Sequence, residues 1–78
     1  MLPKEEKLII TFHTTAEAMA MEKSCREKKL PGRLIPVPRE ISAGCGLSWC
    51  ADPSAEKQIL AGMREVGLEA QGTYLVMI

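Results

Sequence analysis

Apolar and polar positions alternate from Leu8 to Phe12, with Leu8, Ile10 and Phe12 on one side and Ile9 and Thr11 on the other. That alternation predicts a first β-strand. Ile9 makes the second side partly apolar too, so that side needs a cover from this chain or from a partner. Lys4, Glu5, Glu6 and Lys7 show no apolar period, and residues 1–6 are expected to fray. Thr14-Thr-Ala-Glu17 then has the spacing of a capping box. The helix it opens is expected to reach about Lys29, with Ala18, Met21 and Cys25 on its inward stripe. Arg26, Lys28 and Lys29 suit the negative end of the helix dipole, and Pro31-Gly32 stops it.

Leu34 to Val37 is short and β-rich, but Pro36 and Pro38 each remove a ladder donor, which confines this strand to a sheet edge. Beyond a loop of small residues, Leu47, Trp49 and Ala51 alternate with Ser48 and Cys50 in a third strand. Asp52 as N-cap and Pro53 at the first helical position start a second helix. Its inward stripe is expected to be Ile59, Met63 and Val66, with Leu60 beside it. Gly67 is the expected left-handed terminus and Leu68 its apolar contact. Thr73 to Ile78 is a strongly apolar last strand.

The order is βαββαβ, which predicts an α+β, ferredoxin-like fold. Four antiparallel strands would form one sheet, with helices near 14–29 and 53–66 on one face. A chain of 78 residues has room for one core, so residues 1–78 are expected to be a single domain.

Composition removes several functions. Ten basic residues balance ten acidic ones, so no overall field attracts nucleic acid or an anionic membrane. Phe12, Trp49 and Tyr74 are too few for a stacking platform unless the fold gathers them. No apolar run has the length of a membrane span, and Met-Leu-Pro-Lys-Glu-Glu-Lys lacks a signal peptide's apolar segment. Three cysteines, an odd number, then point to free thiols in a reducing cytoplasm.

The chemistry concentrates in Pro36-Val-Pro-Arg-Glu-Ile-Ser-Ala-Gly-Cys-Gly-Leu47. Cys45 stands between Gly44 and Gly46, and glycine flanks allow a turn with positive φ whose N–H groups are unobstructed. Consecutive turn N–H groups form a concavity suited to an anion, and a thiolate is one. A plain hairpin loop with an incidental cysteine accounts for the same residues.

The stretch from Leu34 to Leu47 closely resembles the signature of small bacterial selenium/sulfur carrier-like proteins. The flanks agree: Ile9-Ile-Thr-Phe12, a helix carrying Ala18 and Glu22-Lys23, and Val66-Gly67 before the last strand. The resemblance covers nearly the whole chain and its central motif is specific. It implies that Cys45 is the carrier cysteine, holding sulfur or selenium as a persulfide or selenopersulfide. It also implies protein donors and acceptors, no cofactor, and a carrier rather than an enzyme. Cys25 and Cys50 fall outside the recognised motif.

A carrier cysteine needs access and surroundings that stabilise its anion. Arg39 is the nearest cation in sequence, and Arg33 could reach the same end of the hairpin. Arg39 is equally explained as a solvated edge residue. His13 reads as a surface histidine, so a Cys–His hydrolase has little support. Cys50 is a candidate resolving thiol if its Cβ can meet that of Cys45. Zinc lacks a paired short-spacing signature. Two functions stay open: a sulfur or selenium carrier acting between partner proteins, and an interaction domain. The second would pair through Ile9 and Val76 on an open sheet face, with another copy or a larger enzyme.

Overall fold

The computed structural model describes residues 5–41 and 45–78. Strand β1, Glu6–Thr11, starts before the alternating run, because Glu6 and Lys7 pair through their backbones with Met77 and Val76 of β4, Gly72–Met77. Glu5 and Ile78 exchange backbone hydrogen bonds of 3.1 and 3.0 Å. The expected frayed lead is therefore wrong for residues 5 and 6: ladder pairing asks for backbone groups, not apolar side chains.

Helix α1, Thr15–Lys28, carries the predicted capping box. The Glu17 N–H donates to Thr14 Oγ1 at 3.1 Å, and the Thr14 N–H donates to Glu17 Oε1 at 3.3 Å. Ala18, Met21 and Cys25 are its buried stripe, as the spacing predicts. The helix ends before Pro31-Gly32: Lys29 turns left-handed at φ 57°, and the Leu30 N–H returns to the Cys25 carbonyl at 2.8 Å.

Strand β2, Arg33–Pro36, is the edge strand its prolines require, and β3, Leu47–Ala51, lies beside it. The sheet order is β2-β3-β1-β4, antiparallel throughout. A short 3₁₀ turn, Pro53–Ala55, leads into α2, Glu56–Glu65. Asp52 caps the 3₁₀ turn rather than α2 itself, accepting from the Ser54 N–H at 2.9 Å. This is the ferredoxin-like α+β fold.

One sheet face packs Leu8, Ile10, Phe12 and Trp49 against Met21, Cys25, Ile59 and Met63 of the helices. Val66 is a correction: it is 46% exposed rather than inward. The helix has ended at Glu65, and the chain leaves through a Schellman turn. There the Leu68 N–H donates to the Met63 carbonyl at 2.9 Å and the Gly67 N–H to that of Arg64 at 3.2 Å, with Gly67 at φ +75°. Leu68 packs against the core.

The other face has its own cover. Ile9, Ile41 and Cys50 form a second buried cluster, flanked by Ile35, Val37 and Val76. Ile9 is 0% exposed. Association through Ile9 is thereby overturned, since the β2–β3 connection already covers it. Two buried hydroxyls on this face are satisfied locally: Thr11 donates to the Gly72 carbonyl and Ser48 to that of Ile35, both at 3.3 Å.

Candidate functional site

The β2–β3 connection is built around two anchors. At its base the Val37 N–H donates to the Gly46 carbonyl at 3.0 Å, extending the ladder one step past Pro36. A turn follows in which the Ile41 N–H reaches the Pro38 carbonyl at 3.0 Å, and Ile41 drops onto the helix-free face. Ser42, Ala43 and Gly44 lie outside the described residues. The chain then returns at Cys45, which packs against the core on the opposite, helix-bearing face. The connection straddles the end of the sheet.

Cys45 is held by its own backbone. Its N–H donates to the Phe12 carbonyl at 3.2 Å, beside the entrance to α1. Its Sγ lies 3.8 Å from the Leu47 carbonyl, to which the thiol donates. That contact uses the thiol proton. Gly46, next in line, has φ +95°, a region that favours glycine, and among the described residues nothing lies within reach of its missing Cβ.

The three thiols occupy different surroundings. Cys25 is 2% exposed, and burial pushes its thiol up to about 11, where the reactive thiolate is scarce. Cys50 is 8% exposed on the helix-free face. Cys45 is only half-buried. Cys45 and Cys50 therefore sit on opposite faces, and the strand from Leu47 to Cys50 alone spans about 10 Å. A disulfide needs Cα atoms within roughly 7 Å, so Cys50 does not resolve Cys45 in this fold.

The charged candidates separate in the same way. Arg33 pairs in register with Cys50, at the end of the hairpin away from Cys45, which corrects its expected reach. Arg39 is exposed in the turn before Ile41, and no hydrogen bond or ion pair among the described residues joins it to Cys45. His13 is exposed and engages Glu17: its N–H donates to Oε1 at 2.9 Å, and Nδ1 lies 3.4 Å from the same oxygen. The Glu17 carboxylate thus sits over the first turn of α1, where the helix dipole is positive. Among the described residues no cluster of His, Cys, Asp or Glu is placed to hold a metal.

A protein-family model described as "Putative Se/S carrier protein-like" matches residues 7–75. The chain belongs to that family. No curated protein and no solved structure matches it. In this member of the Se/S carrier-like family, three residues shape the loop that motif reasoning passed over. Ile41 anchors it, Phe12 receives the Cys45 amide, and Leu47 receives the thiol. Ile41 alone had a visible signal, as a large apolar residue in a stretch otherwise polar or small. Among the described residues no helix is long and apolar enough to cross a membrane.

Proposed function

We propose that this chain carries sulfane sulfur or selenium on Cys45 between a protein donor and a protein acceptor. The observation that carries the reading is the contrast among the thiols: two are buried, and the half-exposed one lies in the family's loop, fixed by backbone bonds. In loading, the Cys45 thiol loses its proton to solvent and attacks the outer sulfur of a donor persulfide. A new S–S bond forms on Cys45, the donor's S–S bond breaks, and the donor leaves as a thiolate. Unloading is the same exchange with an acceptor thiolate attacking the carried atom, and selenium follows the same course. The Leu47 contact is released when the thiol ionises. Backbone N–H groups about Gly44 and Gly46, with the Arg39 guanidinium, are the groups proposed to hold the resulting anion.

An interaction domain is the second reading, and exposed apolar residues of β4 favour it: Leu75 is 59% and Met77 53% exposed. The two separate in one experiment. Wild type and Cys45→Ser are incubated with a cysteine desulfurase and cysteine, and intact mass is measured without reductant. One added sulfur on wild type alone supports the carrier. Equal adduct on both proteins, or none on either with several competent donors, rejects it.

A further inference from the structure

The two edges of this sheet are built differently. At one edge β2 has four residues, carries Arg33 and Pro36, and is followed by Pro38. Charges, prolines and shortness are the usual defences of a free edge. At the other edge β4 has six residues, and from Gly72 to Ile78 there is neither a charge nor a proline. Among the described residues nothing pairs with its outer side.

Its open groups follow from the register. Glu5 and Ile78 are a hydrogen-bonded pair, so alternation directs the backbone groups of Val76 and Tyr74 toward β1 as well. The N–H and C=O groups of Thr73, Leu75 and Met77 are left pointing outward. Water meets these groups in the single chain, and an extended backbone is the protein partner whose own groups match their spacing.

We infer that this edge binds the β4 edge of a second copy, antiparallel, about a two-fold axis through Leu75. In that register Leu75 opposes Leu75, Thr73 opposes Met77, and all the outward groups of these three residues pair. On the other face Tyr74 of each copy lies across from Val76 of the second copy, an aromatic beside a β-branched residue. No like charges meet, because the strand has none. The occupant is a second copy because residues 72–78 carry no charge to repel their own kind and every outward group of Thr73, Leu75 and Met77 finds its partner in this register. The product is one eight-stranded sheet with all helices on the same face and the two Cys45 loops at opposite ends, both accessible. The contact rests on about seven residues per copy against roughly 20–30 for a standard interface, so it is reversible and concentration-dependent.

The inference does not depend on the carrier reading. Sedimentation velocity over a wide concentration range should show the mass rising toward twice that of the chain. Leu75→Lys, at an exposed position, places two like charges on the axis and should keep the single-chain mass while retaining the wild-type circular dichroism. In wild type, amide exchange at Thr73, Leu75 and Met77 should slow at least about tenfold from dilute to concentrated protein. A wild type that stays single at every concentration overturns the inference and leaves the edge to an unlike strand. A dimer that survives Leu75→Lys, or one that leaves those three amides unprotected, overturns it as well.

Discussion

The amide of Cys45 and the carbonyl of Phe12 are joined by a 3.2 Å hydrogen bond. Phe12 is fully buried, so this bond ties the loop to the core rather than only to its own hairpin. The side chain of Cys45 takes no part in it. Cys45→Ser should therefore keep stability within about 1 kcal/mol of wild type, since the serine hydroxyl can donate to Leu47 in place of the thiol. Sulfur loading should vanish. Urea unfolding read beside intact mass checks both halves.

Gly46 separates backbone strain from crowding. At φ +95° with no described residue near its absent Cβ, Gly46→Val is expected to cost conformational strain rather than overlap with the described core. A loss of about 1–3 kcal/mol is expected. Loading should fall further than this predicts, because the strained residue repositions the adjacent sulfur. The comparison is the initial rate of adduct formation under conditions where both proteins are fully folded; equal rates would rule out a positioning role for the glycine.

Gly32 is the opposite case. Its absent Cβ would overlap the Trp49 indole and come within 2.7 Å of the Cys50 carbonyl, with φ +116° besides. The indole cannot step aside without losing its Nε1–H bond to the Pro31 carbonyl at 3.1 Å. Gly32→Ala should cost on the order of 3 kcal/mol, overpacking added to strain. Denaturant midpoint and tryptophan fluorescence should shift together.

The fold was legible where signals are local. Thr14 to Glu17, the Ala18-Met21-Cys25 stripe, and Pro36 in an edge strand each need only neighbouring residues to be read. Long-range pairing hid the rest. Ile41 belongs to no period, so its seat on Ile9 could not be read, and Ile9 looked like an open-face residue. Arg33 is close to the Cys45 loop in sequence, yet antiparallel register carries it to Cys50. The Phe12–Cys45 bond joins two backbone groups, which leave no trace in side-chain pattern.

Acid should loosen the contact between the helices. Lys28 Nζ donates to Glu65 Oε2 at 2.6 Å, and that bond, with the ammonium charge, holds the Glu65 carboxyl below its ordinary 4.5. A group lowered on folding stabilises the fold above its unfolded-state value, and that contribution disappears as pH falls through the folded value. Asp52, lowered by its Ser54 bonds, acts in the same direction. Both are exposed, so the effects are small and best seen as slopes. Between about pH 6 and pH 3, Glu65→Gln should flatten the decline of melting temperature relative to wild type. Parallel slopes would show that the ion pair is absent in solution.

Ile41 also makes the order of thiol reactivity a test of loop placement. In wild type, Cys45 should be alkylated first, since it alone is half-exposed. Cys25 should be slowest, protonated and in the core. Cys50 lies beneath Ile41 and beside Ile9 on the helix-free face. Ile41→Ala removes the side chain that seals this cluster, at a cost of about 2 kcal/mol, the low end for a buried isoleucine because the cluster is small. Cys50 labelling should then accelerate several-fold, while Cys25, on the other side of the sheet, should change only as global stability does. Site-resolved mass spectrometry of a labelling time course reads all three together. If Cys50 is unaffected, Ile41 does not cover that face; if Cys25 accelerates equally, the variant has opened the whole domain. A selective rise at Cys50 would establish that Ile41 holds the Cys45 loop to the helix-free face of the sheet.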